Sequence, residues 1–183
     1  MDYVNLDDEE LLTLSLAAMG EGRDAESVSL LKTLLERTPN HGYGQYLLAA
    51  QHAQLGMMDR AEAGFRSALQ VMPELQLARF QLGQLLLVQE RHQEAKAVFA
   101  PLVPAAPGQA LGAYARALTA VAEDNVALTI RELQDGLDCP QDIPALADDM
   151  RRLLARLGGD TPPPATGGNP ATPMFLSGYG RSA

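Results

Sequence analysis

The fold of this chain is decided by the stretch from Leu48 to Pro73, which reads LAAQHAQLGMMDRAEAGFRSALQVMP. Its small and large apolar residues return along the chain at a fixed spacing of 34 residues. The recurring places are a first small residue (Ser15, Ala49, Gly83, Ala117), a second small residue (Ser27, Ala61, Ala95, Thr129), a large apolar residue (Leu31, Phe65, Phe99, Leu133) and a closing proline (Pro39, Pro73, Pro107). A period in this range predicts stacked supersecondary units rather than one closed domain.

Each repeat contains two runs of apolar residues at helical spacing, separated by a turn, and therefore predicts a pair of helices. The predicted pairs are 8–20 with 24–37, 42–55 with 59–71, 75–89 with 92–100, and 110–122 with 125–137. Pro101 and Pro104 predict that the third pair ends near Ala100 or kinks there, because proline removes a backbone donor and clashes with the preceding turn. A ninth helix is predicted over 144–157, with Pro144 at its start.

Composition and charge narrow the class of partner. The chain of 183 residues is 46% hydrophobic with only 5% aromatic residues, which suits helices packed closely through small contacts. Its net charge of -9 argues against nucleic acid and membrane surfaces as partners, because both carry negative charge and would be repelled. A basic or neutral protein partner remains open, and the alternative is that the charge only keeps the array soluble. With no signal peptide and no run of ~20 apolar residues, the cytoplasm is the expected location. Lys occurs only at Lys32 and Lys96 while Arg and Ala are common, which hints at a GC-rich bacterial source.

The residue types that carry chemistry do not assemble into a known pattern. Cys139 is the only cysteine, so neither an intrachain disulfide nor a cysteine metal cluster can form. His41, His52 and His92 lie far apart in sequence and match no metal-binding spacing. Asp148 and Asp149 are expected on a solvated helix face. The sequence therefore predicts no enzyme, no metal site and no cofactor.

Each unit resembles a tetratricopeptide repeat (TPR), a helix–turn–helix of 34 residues. The second unit carries the resemblance best, through Leu48, Ala49, Gly56, Ala61, Phe65, Ala68 and Pro73. The fourth departs from the pattern, with Arg116 in the Leu place, Asp124 at the turn and Gln141 in the place of the closing proline. The resemblance covers about residues 8–141. It implies an all-α fold in which antiparallel helix pairs form a right-handed superhelical array.

The chain is expected to divide into three parts. Residues 1–157 form the TPR array, and its last helix, 144–157, is the cap that such arrays need for solubility. Residues 158–173 are rich in Pro and Gly and are predicted to be a disordered linker. Residues 174–183 form an apolar tail motif, whose large side chains are Met174, Phe175, Leu176 and Tyr179.

The resemblance also implies that the first helix of each pair lines a concave groove that binds a protein or peptide. The groove stripe is expected to include Leu12, Leu16, Tyr43, Tyr46, Leu77, Phe80, Gln84, Leu111, Tyr114 and Leu118. Tyr46, Phe80 and Tyr114 are themselves 34 residues apart. Two interpretations of these rings remain open. They form a ladder that grips a bound chain, or they fill the core where the usual large residue is replaced by Gln45, Arg79 and Ala113.

The predicted function is that of a protein–protein interaction adaptor or chaperone that binds an apolar peptide in the groove. Three roles of the tail remain open: it occupies its own or a neighbour's groove, giving self-association, it docks on another protein, or it has no role. The alternative function is a structural subunit of a larger bacterial assembly such as a secretion system, or a chaperone like those of type III secretion, which the chain resembles in size and charge. The sequence identifies neither the client nor the pathway.

Overall fold

A computed structural model describes residue 3, residues 6–104 and residues 108–158. The described chain is all helical. Its helices are α1 (Asp8–Gly20), α2 (Asp24–Arg37), α3 (Gly42–Gln54), α4 (Met58–Val71), α5 (Gln76–Val88), α6 (His92–Phe99), α7 (Ala110–Val121), α8 (Val126–Leu137) and α9 (Pro144–Arg156). The predicted helices are therefore confirmed, with ends that agree to within one residue.

Local sequence explains where several helices begin. The Asp7 side chain accepts a hydrogen bond from the Glu10 N–H, and the Glu10 side chain accepts one from the Asp7 N–H, at 2.8 Å each. This reciprocal pair is a capping box, which satisfies two backbone donors that the helix leaves unpaired. Nδ1 of His41 and the Asn125 side chain accept equivalent bonds at the starts of α3 and α8. Pro144 lies in the first turn of α9, as predicted.

The prolines of the third pair act as expected. The helix α6 ends at Phe99 and gives way to a short 3₁₀ helix over Ala100–Leu102, which contains Pro101. The tighter turn avoids the α-helical backbone bond that Pro101, lacking an N–H, cannot donate. The second helix of the third pair is consequently only 8 residues long, against 14 in α2 and α4.

The described chain divides into two compact units, with the boundary between Ala78 and Arg79. In the first unit, α1 packs on α2, α3 packs on α4, and α2 packs on α3. In the second unit, α7 packs on α8, α6 packs on α7, and α8 packs on α9. The division into array, linker and tail stays a prediction, because most of 158–183 lies outside the described residues.

Packing inside each unit follows the recurring sizes. A Cβ on Gly64 of α4 would come within 2.8 Å of the Ala49 Cβ on α3. In the third pair, a Cβ on Gly83 would overlap the ring of Phe99. The large residue Phe99 thus fills space beside the small residue of its own pair, and both residues are buried.

Asp149 corrects one expectation. Its neighbour Asp148 is exposed as predicted, but Asp149 is only 1% exposed. Asp149 stands three residues after Leu146, so it shares the face of α9 that is buried. Its Oδ1 accepts a hydrogen bond from Arg152, while its Oδ2 has no partner. Burial is the main cause that raises the pKa of this carboxyl, and the charge of Arg152 acts against it.

Candidate peptide-binding surface

The ten residues predicted for the groove stripe lie on the first helices of the four pairs, and their exposure separates them into two groups. The half-buried members are Leu12, Leu16, Tyr43, Leu77 and Leu111. The buried members are Tyr46, Phe80, Gln84, Tyr114 and Leu118. Only the first group retains surface with which an approaching chain could make contact.

The three rings of the proposed ladder are all in the buried group. Tyr46, Phe80 and Tyr114 are 1%, 0% and 1% exposed. Such burial favours the core-filling interpretation of these rings. Gln45, Arg79 and Ala113 stand where the repeat usually has a large residue. A ring at the next position supplies the missing volume, because protein interiors leave little space unfilled.

In the first unit, three rings lead from the surface into the core. The ring centroids of Tyr43 and Tyr46 are 5.6 Å apart, and those of Tyr46 and Phe65 are 6.2 Å apart. Both pairs are tilted, an arrangement that aromatic quadrupoles favour. Tyr43 lies at the outer end and is half-buried. It packs on the ring of Tyr46, which is buried and cannot move freely. Burial raises the pKa of Tyr46, whose hydroxyl has no hydrogen-bond partner among the described residues.

In the second unit, Tyr114 occupies the same repeat place as Tyr46 but has a partner. Its hydroxyl donates to Oε1 of Gln141 at 2.8 Å. The Gln141 amide in turn donates to the carbonyl oxygens of Gly136 at 2.8 Å and Cys139 at 2.6 Å. Burial raises the pKa of Tyr114, and the bond to Gln141 acts against this. Gln141 stands where earlier repeats have proline, so this departure from the repeat pattern supports the neighbouring turn.

A second departure has a similar explanation. Arg116 replaces the usual Leu of α7, and its Nε donates to Oε2 of Glu132 on α8 at 2.6 Å. The other oxygen of Glu132 accepts from Arg131 at 3.1 Å. Burial acts to raise the pKa of Glu132, but its bonds to the two arginines outweigh burial and lower it. An ion pair thus joins the helices of the fourth pair where the other repeats use an apolar residue.

Gln84 is the one polar member of the stripe, and it is fully buried on α5. Within residues 6–104 and 108–158, neither its amide nitrogen nor its amide oxygen has a hydrogen-bond partner. A buried amide without partners costs free energy comparable to a lost hydrogen bond.

The tail motif of Met174, Phe175, Leu176 and Tyr179 lies outside the described residues.

Other expectations concern chemistry and membranes. Within the described ranges, no group of three or more His, Cys, Asp or Glu side chains is arranged to hold a metal ion. No helix in the same ranges is both long and apolar enough to cross a lipid bilayer.

Comparison with known proteins identifies the fold. No family model matches the sequence, and no curated protein matches it. Solved structures do match. TTC0263, a thermophilic TPR protein of Thermus thermophilus, superposes with a TM-score of 0.69 at 18% identity, over 82% of this chain and 81% of that chain. The chain has a TPR-like helical repeat fold.

A second solved structure agrees with this assignment. MamA from Desulfovibrio magneticus RS-1, residues 41 to the end, superposes with a TM-score of 0.62 at 21% identity, over 82% of this chain and 83% of that chain. At such identities the likeness concerns the fold. The TPR resemblance of the repeats is therefore confirmed at the level of architecture, while the groove residues stay a prediction.

Proposed function

We propose that this TPR-like chain is a non-catalytic protein-interaction scaffold that binds an apolar peptide segment through the first helices of its pairs. The observation that supports the proposal most is the half-buried apolar side chains in the first unit, Leu12 and Leu16 on α1 and Tyr43 on α3. Leu12 and Leu16 are one helical turn apart, so they present adjacent side chains on one face of α1.

This surface has the properties of a peptide anchor. Tyr43 packs on the buried ring of Tyr46, so it loses little conformational freedom when a ligand binds. Half-buried leucines and a fixed aromatic ring each provide apolar area that a peptide can cover, and buried aromatic anchors dominate many protein interfaces. The buried members of the stripe, such as Tyr46, support this surface from behind and do not form it.

We further propose that the occupant is the chain's own tail motif or that of a neighbouring copy. The linker of about 15 residues has an r.m.s. span near 20 Å, so the tail can return to the array. A tethered segment reaches an effective concentration of about a millimolar, and even a weak contact is then occupied. A client peptide would compete with the tail for the same leucines.

The test uses a chain truncated after Gly158 and a synthetic peptide of residues 172–183. Fluorescence anisotropy should show the peptide binding to the truncated chain, and the full-length chain should bind it more weakly because its own tail competes. L12S and L16S should each weaken binding about threefold to tenfold, through the loss of buried apolar area.

L14S is the matched control. Leu14 is another leucine of α1, exposed at 43%, and it lies about 200° around the helix from Leu12. It should leave binding unchanged. Equal loss in L14S and L16S, or no binding of the peptide to the truncated chain, would reject the tail as occupant. If, in addition, truncation changed neither oligomeric state nor the binding of a hydrophobic dye, the data would favour a structural subunit of a larger assembly.

A further inference from the structure

In the first, third and fourth helix pairs, the residue just before the second helix forms a hydrogen bond with the residue three places later. The bonded residues are Arg23 with Glu26, Arg91 with Glu94, and Asn125 with Leu128. In each bond an N–H donor meets a carboxylate or amide oxygen, which ties the turn to the first turn of the second helix. The same two places in the second pair hold Met57 and Arg60.

The second pair presents a sulfur atom to its donor instead of an oxygen. Nη1 of Arg60 lies 3.8 Å from Sδ of Met57. A thioether sulfur is a weak acceptor, so this contact is weaker than the bonds in the other three turns. Asp59 lines the same open cleft, but within the described ranges no carboxylate forms an ion pair with Arg60. No described side chain caps the start of α4 either. One oxygen atom bonded to the sulfur would therefore supply the missing acceptor.

The sulfur of Met57 is also accessible to small reagents. Met57 is 42% exposed, and an open cleft of about 460 Å³ lies beside it. The other methionines in the described ranges are less accessible, since Met58 and Met72 are half-buried and Met19 and Met150 are buried. Because the oxidation of a sulfur-containing side chain increases with its exposure, Met57 is the favoured target among them.

We propose that Met57 is a site of sulfoxidation by peroxides, at which the Arg60 guanidinium donates a hydrogen bond to the new oxygen. The sulfur donates an electron pair to one oxygen of hydrogen peroxide, the O–O bond breaks, and the other oxygen leaves with both protons as water. The sulfur is oxidised by two electrons and the peroxide is reduced by two, so no further reactant is needed. The sulfoxide oxygen occupies the place that Oε1 has in glutamine, and it is a far stronger acceptor than the thioether.

Oxidation at this site stabilises the turn instead of damaging it. Methionine sulfoxide disrupts proteins mainly where it brings a polar group into an apolar core. Met57 avoids that cost, because it is exposed and its new oxygen meets a guanidinium. The turn also becomes less apolar, since Met57 and Leu55, which is 46% exposed, are its exposed apolar residues. The surface of the first unit thus differs between the reduced and the oxidised protein.

The first experiment treats the full-length chain with hydrogen peroxide and follows the sulfoxide at each methionine by peptide mass spectrometry. Met57 should be oxidised about tenfold faster than the buried Met19 and Met150, and also faster than the half-buried Met72. Equal rates of oxidation at Met57 and Met72 would overturn the proposed selectivity.

The second experiment tests the bond to Arg60. M57Q places an amide oxygen where the sulfoxide oxygen would lie, and M57L is the matched variant without an acceptor. The thermal midpoint of M57Q should lie about 1–2 °C above that of M57L, as expected for a surface pair one helical turn apart. R60L should remove this difference. R66L should retain it, because Arg66 is on the same helix but pairs with Glu62 at 2.9 Å.

The oxidised protein itself gives the third comparison. In a chain that carries M58L and M72L, brief peroxide treatment modifies Met57 ahead of the buried methionines and should raise the thermal midpoint by a similar amount. Adding R60L should abolish that rise. The proposal fails if M57Q is no more stable than M57L, if their difference survives R60L, or if sulfoxidation of Met57 lowers the thermal midpoint. Circular dichroism of each variant confirms that the helices are retained.

Discussion

One residue in each of the four helix pairs adopts a positive φ, and these residues are 34 apart. They are Gly22 at 70°, Gly56 at 74°, Glu90 at 59° and Asp124 at 54°. In each turn the next residue donates its N–H to a carbonyl five residues earlier, as Met57 does to His52 at 2.8 Å. This bond is characteristic of the Schellman motif that ends a helix. The repeat therefore recurs in backbone conformation as well as in side-chain size.

Glu90 and Asp124 carry a cost that the glycines avoid. A side chain in the left-handed region costs roughly 1 kcal/mol relative to glycine. E90G and D124G should therefore each raise the free energy of unfolding by about that amount in urea denaturation. G56A, where a Cβ would meet no atom within 4 Å, should lower it by a similar amount. A neutral G56A would contradict the explanation, since only the backbone conformation disfavours alanine there.

Tyr46 and Tyr114 occupy the same repeat place but differ in hydrogen bonding, so the pair is its own control. Y114F removes the hydroxyl that donates to Oε1 of Gln141, and it should lower the free energy of unfolding by about 1 kcal/mol. Y46F removes a buried hydroxyl that has no partner and should leave stability unchanged or increased. Thermal and urea unfolding of both variants would check this. A larger loss in Y46F would show that the Tyr46 hydroxyl has a partner in solution.

At the scale of helices, close approach in the third pair depends on the absence of a side chain at Gly83. Since a Cβ there would overlap the Phe99 ring, G83A should lower the free energy of unfolding by about 1–3 kcal/mol. F99L should reduce that penalty in a double-mutant cycle, because the smaller side chain leaves space for the methyl group. G20A is the control, since a Cβ at Gly20 meets nothing within 4 Å. Additive effects of G83A and F99L would contradict direct contact.

The ion pair between α7 and α8 predicts a dependence on pH. The pKa of Glu132 is lowered on folding, so its stabilising contribution is present above the ordinary value of 4.5 and is lost as the pH falls through the folded pKa. E132Q should lower the free energy of unfolding by about 2 kcal/mol at pH 7. The difference from the unaltered chain should shrink below about pH 4.5. E36Q, at an exposed glutamate, should show neither effect.

At the scale of the whole molecule, the ninth helix is predicted to cover the end of the array. It buries Leu146, Met150 and Leu154, and it packs on α8. Truncation after Asp142 removes these contacts but retains Gln141. Stability should fall by on the order of 5 kcal/mol, with increased aggregation measured by light scattering. Truncation after Gly158 retains α9 and should keep the thermal midpoint within a few degrees. Equal stability of the two truncated chains would reject the role of α9 as a cap.

Much of the architecture could be predicted because it depends on residues close in sequence. Helical spacing, caps and prolines act over a few residues, and a fixed period shows that the same unit is used again. The burial of Asp149 could not be predicted with the same certainty, because it depends on which sector of α9 meets another element.

The sequence by itself determined the helices, their pairing and the TPR-like class, because local backbone preferences and the 34-residue recurrence of small and large residues specify the repeated unit. Only the tertiary structure decided which members of the groove stripe remain accessible. Tyr46, Phe80 and Tyr114 recur with the period of the repeat, yet all three are buried. The physical reason is that a period places a residue on a helix face, whereas its exposure depends on the volume of the side chains that neighbouring helices bring against that face.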